Sequence, residues 1–184
     1  MKRKMHPVWA SLVVLAVLAA TGCASSFMVP TEAIAPGPDY AVVNFLRPSS
    51  YGGAIKFGVW DRDTIIGVLT PKRYMQYKAS PGEHIFMARA ENWSVVKATV
   101  EAGRTYYILA EPRMGVWKAR VAMTVLQPDD RRVDKWMNAL TPIAMDPSKR
   151  EGYAAEHAPG ARTAAQNVEA GKAEYTFMKA TDGR

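Results

Sequence analysis

Between residues 40 and 126 the chain breaks into short apolar runs that alternate side chain by side chain, each closed by turn formers. Ala41, Val43 and Phe45 alternate with Val42, Asn44 and Leu46, and Ile55, Phe57 and Val59 alternate with Lys56 and Gly58. Asp61-Arg62-Asp63 makes a tight connection into 64–69, the run 73–79 follows, and Ser80-Pro81-Gly82 punctuates before 83–89. Val96, Ala98 and Val100 share one face of the next run, which ends at Ala102-Gly103; 104–110 and 116–125 complete the series. In the last run Trp117, Ala119, Val121, Met123 and Val125 oppose Lys118, Arg120 and Thr124. A side-chain period of two with one wet face belongs to antiparallel sheets, because successive Cβ atoms of a strand point to opposite sides. About eight short strands at regular spacing predict a mainly β fold, an antiparallel β-sandwich of about seven to eight strands. A parallel α/β sheet is excluded, since it needs crossover helices and these runs leave no room for them.

After Gln127 the pattern changes period. Pro128 and Asp129-Asp130 suit a helix start, and Val133, Trp136, Met137 and Leu140 fall at i, i+3, i+4 and i+7, with Pro142 as the stop. That helix either packs Trp136 onto the sheets or presents it to a partner. Asp146-Pro147 reads as an N-cap with proline at the first helical position, opening a short helix to about Glu156 that Pro159-Gly160 breaks. The stretch 162–179 is alanine-rich and weakly amphipathic; helix, edge strand around 175–178 and disorder all remain open for it. Residues 127–184 are thus expected to form a helical C-terminal extension to a sandwich at 40–126.

The N-terminus carries a different message. Met1-Lys2-Arg3-Lys4 is a basic start, residues 8–20 are an apolar run, and Ala20-Thr21-Gly22 places small residues directly before Cys23, the only cysteine in the chain. This is the order of a secretory leader at 1–22 followed by a lipid-attachment cysteine. The apolar run falls short of the roughly 20 residues that a spanning helix needs. With a single thiol no intramolecular disulfide can form, and acylation is the chemistry that explains a lone cysteine at this place. One myristoyl-sized chain holds a protein only marginally, at roughly 0.8 kcal/mol per buried methylene, so several acyl chains on Cys23 make a lasting membrane anchor. Residues 23–39, with Pro30, Pro36, Gly37 and Pro38, then read as an acylated end and stiff tether. Loss of Lys2, Arg3 and Lys4 with the leader lowers the formal charge from +7 to +4. That is too little, and too scattered, for a nucleic-acid footprint, and export excludes nucleic acid as a partner.

Several of these blocks resemble a family of bacterial lipoproteins built on a domain of unknown function, small β-sandwiches akin to the carboxypeptidase-regulatory or transthyretin-like type. The likeness is carried by Ala41-Val42-Val43-Asn44-Phe45-Leu46-Arg47, by Asp61 with Ile66-Gly67-Val68-Leu69, by Tyr74, Tyr77 and Pro81-Gly82-Glu83-His84, and by Ala102-Gly103-Arg104-Thr105-Tyr106-Tyr107-Ile108. It covers under half the chain. These motifs are folding punctuation, turn glycines and strand tyrosines, so the resemblance implies an envelope lipoprotein fold and no particular activity. Ala24, directly after Cys23, favours the outer membrane by resemblance to enterobacterial lipoproteins, in which a residue other than Asp at this place does so, with the body facing the periplasm.

The residues offer little to a chemist. His84 and His157 are the only histidines left after the leader; His84 reads as a half-buried strand residue and His157 as a surface one. Two separated histidines and no thiol fall short of the three protein ligands of a catalytic zinc, and Asp61 with Asp63 falls short of a calcium loop, so no metal or cofactor is expected. Asp61 and Asp63 read as hairpin-turn residues and Asp129-Asp130 as helix caps. There is no Gly-x-Ser-x-Gly elbow, and Gly52-Gly53 opens no helix, so it is not a phosphate loop. A hydrolase would require His84 in a cleft beside a serine or carboxylate. The expected function is therefore a non-catalytic, lipid-anchored envelope protein acting as a structural or docking module, pocket-poor, with an envelope protein as partner. The alternative is a glycan-binding module that stacks peptidoglycan or polysaccharide on exposed Tyr51, Trp60 and Trp93.

Overall fold

The computed structural model describes residues 26–115 and 119–184. The leader, Cys23, and Trp117 with its neighbours Val116 and Lys118 lie outside the described residues. Strands β1 (Met28–Pro30), β2 (Ala41–Arg47), β3 (Phe57–Asp61), β4 (Thr64–Leu69), β5 (Arg73–Ala79), β6 (Gly82–Arg89), β7 (Trp93–Val100), β8 (Thr105–Met114) and β9 (Ala119–Leu126) follow one another. Helix α1 (Arg132–Ala139), strand β10 (Thr141–Met145), helix α2 (Pro147–Glu169) and strand β11 (Thr176–Met178) complete the order. Among the described residues these make a six-stranded sheet, β1-β10-β5-β2-β8-β9, and a five-stranded sheet, β11-β7-β6-β3-β4.

The period-two runs become strands β2 to β9, but three expectations need correction. Eleven strands are present among the described residues, not seven to eight, because β1 and β10 come from segments read as tether and helical extension, and β11 is the edge strand left open around 175–178. The sheets are mixed: β2–β8, β10–β5 and β11–β7 pair in parallel. And the central strands have no wet face. β2 is buried at all seven positions and β3 at all five, since each sheet is covered on its outer side as well.

The inner faces pool into one core. Ala41, Val43, Phe45, Tyr106, Ile108 and Ala110 from one sheet meet Phe57, Val59, Phe86 and Ala88 from the other. Phe45 sets its ring edge-on to Phe86 across the gap, with centroids 5.5 Å apart. On the outer face of the six-stranded sheet, Leu46, Tyr74, Tyr107, Leu109 and Leu126 form a second cluster that α1 closes with Val133, Trp136, Met137 and Leu140. The expected i, i+3, i+4, i+7 stripe therefore packs inward, and Trp136 lies on the sheet. The supposed tether is a strap on the same sheet. β1 pairs with β10, and the side-chain amide of Gln76 accepts from Ile34 N (2.7 Å) and donates to Ile34 O (3.0 Å), as a further strand would.

Helix α2 covers the outer face of the five-stranded sheet. Asp146 caps it, its carboxylate accepting from Ser148 N at 2.9 Å with Pro147 at the first turn, as expected. It does not stop at Glu156. It runs 23 residues, straight through Pro159 and Gly160, because Ala161, Ala164, Ala165 and Val168 beyond them are buried against the sheet. That burial outweighs the missing N–H of Pro159. Among the described residues no helix is long and apolar enough to cross a membrane.

Candidate functional site

Asp61, expected in a turn, ends β3 with its carboxylate buried between the sheets. Its Oδ2 accepts from the Tyr77 hydroxyl on β5 (3.2 Å), and its Oδ1 from Ile85 N (3.4 Å), while His84 Nδ1 lies 2.6 Å from Oδ2. His84 Nε2 lies 2.8 Å from the Ser80 carbonyl. Both partners of the ring can only accept, so both ring nitrogens donate and the ring is an imidazolium. Burial works against that charge, but the hydrogen bonds to Asp61 and Ser80 and the Asp61 charge outweigh it and hold His84 above the ordinary histidine value. Burial, then the Asp61 charge and hydrogen bond, push the Tyr77 phenol up to about 12, so it donates at any physiological pH. The hydrolase requirement of a carboxylate beside His84 is met, yet the ring is buried and both nitrogens are spent. The array is a polar strut between the sheets.

Arg47, noted only as the end of the first strand, is fully buried and donates to four backbone carbonyls: Ile55 (2.5 Å), Gly52 (2.9 Å), Tyr51 (3.3 Å) and Leu69 (3.4 Å). Its guanidinium carbon stands 4.2 Å over the Phe57 ring. It fixes the 51–55 loop, which forms one wall of a cleft.

That cleft, about 330 Å³, lies between the five-stranded sheet and the first half of α2 and is lined by Ile55, Lys56, Gly58, Arg89, Glu91, Tyr153 and His157, among others. Register places Gly58 beside Arg89 and Trp60 beside Met87, so these four share the face turned to α2. Tyr153 stacks on Trp60 at 6.1 Å and meets the His157 ring edge at 4.4 Å. Gly58 permits this approach: a Cβ there would fall 2.6 Å from the Tyr153 hydroxyl and 3.2 Å from Trp60 Nε1. Burial raises the Tyr153 pKa against the opposing pull of the Arg89 cation, so the hydroxyl keeps its proton. His157, expected at the surface, is a cleft wall residue with a side chain 27 % exposed. Arg89 and Tyr153 were not legible as site residues. The available signals were a glycine inside a strand and an aromatic–histidine pair at i, i+4.

The expected aromatic platform is not formed. Trp60 is fully buried beneath Tyr153, the opposite of an exposed stacking ring. Trp93 is partly buried with the Arg89 guanidinium 5.6 Å from its ring, and Tyr51 alone stands in solvent, 55 % exposed. Neither Tyr51 nor Trp93 lines the cleft. Among the described residues no group of three His, Cys, Asp or Glu side chains is placed to hold a metal ion. No protein-family model, no curated protein and no solved structure matches the chain.

Proposed function

We propose that this chain is a bacterial envelope lipoprotein: a β-sandwich carried by acyl chains on Cys23 at the periplasmic face of the outer membrane, where it holds another envelope component without turning it over. The Phe45–Phe86 and Tyr77–Asp61 contacts across the two sheets support the sandwich. The order basic start, apolar run, small residues, sole cysteine supports the anchor, and the likeness of 41–47 and 102–108 to the lipoprotein family supports the address. One observation carries the non-catalytic half of the reading. The buried histidine–carboxylate pair, which has the composition of a general base and its orienting group, is closed at both ring nitrogens and serves to join the sheets. A binding module needs rigid walls, and here Arg47 and Asp61 fix the walls from within. Cys23→Ser tests the anchor. The native chain should sediment with membranes and carry acyl mass on its first mature residue, and the variant should appear in the soluble periplasmic fraction. Unchanged fractionation of the variant refutes the anchor.

A further inference from the structure

The cleft beneath α2 departs from the pocket-poor body expected of a purely structural module, and its chemistry is one-sided. Lys56, Arg89, the Tyr153 hydroxyl and His157 present donors, against the single carboxylate of Glu91. Glu156, which lies 3.6 Å from His157 Nε2, is itself 76 % exposed to solvent. Among the described residues neither Lys56 nor Arg89 has a carboxylate partner; each faces an aromatic ring instead, Lys56 that of Phe27 at 6.0 Å and Arg89 that of Trp93 at 5.6 Å. A second, independent observation lies under the floor. Trp60 Nε1 is buried and has no hydrogen-bond partner. It points to the same spot beside Gly58 as the Tyr153 hydroxyl. An indole N–H left unpaired is costly to bury, and folded chains retain few such groups.

We infer that this cleft binds an oxyanion, a carboxylate or phosphate group borne by a small molecule or a headgroup. Arg89 supplies a forked pair of donors, Lys56 a point charge and Tyr153 a hydroxyl hydrogen bond. The Tyr153 hydroxyl occupies the space over Gly58, and an acceptor that takes its place reaches the Trp60 indole once the Tyr153 ring tilts outward. A volume of about 330 Å³ takes such a group with a few carbons attached. The inference rests on the docking reading and names what is docked; it does not depend on the anchor.

The test is a titration of the full ¹⁵N-labelled chain in dodecyl maltoside, at constant ionic strength, with inorganic phosphate, glycerol 1-phosphate and acetate. The indole N–H signal of Trp60 should shift saturably with at least one of the three. Arg89→Gln, on an exposed side chain whose loss should leave the fold intact, should weaken binding at least tenfold, a loss of about 1.4 kcal/mol. Tyr153→Phe keeps the stack on Trp60 and should weaken it by a smaller factor. Lys135→Gln on α1 should change nothing. Glycerol 1-phosphate tenfold tighter than phosphate assigns a lipid headgroup, phosphate the tighter assigns a free phosphate, and acetate the tightest assigns a carboxylate ligand. No saturable shift up to about 20 mM, well above the millimolar Kd of a weak small-anion site, overturns the inference, as does a shift that survives in Arg89→Gln. Membrane release by Cys23→Ser is read separately, so the two ideas fail separately.

Discussion

Asp61 shows how much one side chain can decide. As a turn residue it would be dispensable; between the sheets it is an acceptor on which β3, β5 and β6 converge. Removing His84 leaves that carboxylate buried without its cation, so His84→Ala should cost roughly 3–5 kcal/mol in denaturant unfolding. Tyr77→Phe removes one neutral donor and should cost only about 1 kcal/mol. The pair also sets a pH dependence whose sign is fixed. The folded-state His84 pKa lies above the unfolded value near 6.5, so the native state holds the proton more tightly. The stabilisation is complete below about pH 6.5 and is lost as pH rises through the raised folded value. Unfolding free energy should therefore fall on going from pH 6 upward through the neutral range, and His84→Ala should flatten that slope. Equal slopes in the two proteins would assign the dependence to another group.

Among the elements, β7 and β9 show why alternation works: Val96, Ala98 and Val100, and Val121 and Met123, are buried, while Lys97, Thr99, Ala122 and Thr124 are not. β2 was read correctly as a strand and wrongly as half-wet, because Val42, Asn44 and Leu46 look like an outer face until the strap and α1 are in place. β10 was missed for a local reason. Pro142 is a helix stop and a poor strand residue, yet it is tolerated here because its carbonyl still accepts from Thr31 N at 3.1 Å. β1, three residues long, is too short to show any period, and β11, equally short, is the edge strand that stood open beside helix and disorder around 175–178. The cleft was not legible because its walls come from a loop, a strand end and a helix far apart in sequence. Helix α2 yields the cleanest test of how tertiary burial overrides propensity. Pro159 withholds one intrahelical hydrogen bond, so Pro159→Ala should raise stability by about 1–3 kcal/mol, where a true helix stop would show no gain. At Gly160 an added Cβ would meet Arg89 Nη1 at 3.6 Å and the Trp93 ring at 3.7 Å, ordinary contacts. Gly160→Ala should then add about 0.5–1 kcal/mol in thermal unfolding, and a lower Tm would show that the glycine is needed for clearance.

For the whole molecule, the question is what keeps two mixed sheets, each covered by its own helix, in a single register. The inter-sheet core supplies most of the energy but little direction, since apolar contacts are not oriented. Directional links include the Asp61 strut, the side chains of Asn92 and Ser94, which bond the backbone of Val121 and Met123 on β9, and the last residues of the chain. β11 adds an edge to the five-stranded sheet beside β7, burying Met178. The chain then crosses to the other sheet, where Arg184 and Thr105 exchange backbone hydrogen bonds of 2.8 and 3.0 Å. Arg104 Nη1 donates to Gly183 O at 2.9 Å, and the Tyr106 hydroxyl donates to Ala180 O at 3.0 Å. Arg184 Nη2 reaches Asp134 on α1 at 2.6 Å, so the same nine residues touch both sheets and a covering helix. A disordered tail, one of three forms open for this stretch, would contribute nothing. Deleting residues 176–184 should instead remove one buried methionine and several inter-sheet hydrogen bonds, a loss of roughly 3–5 kcal/mol. Because both sheets lose the link together, the shortened chain should still unfold in one cooperative transition at lower denaturant. Hydrogen exchange should quicken in β7 and β8, which β11 and Arg184 touch, before β5, whose pairing with β2 and β10 lies away from the clamp. Unchanged protection at Thr105 and Tyr106 after the deletion would show that the clamp carries no load, and the alignment of the sheets would then rest on the Asp61 strut, the Asn92 and Ser94 bonds to β9, and the core.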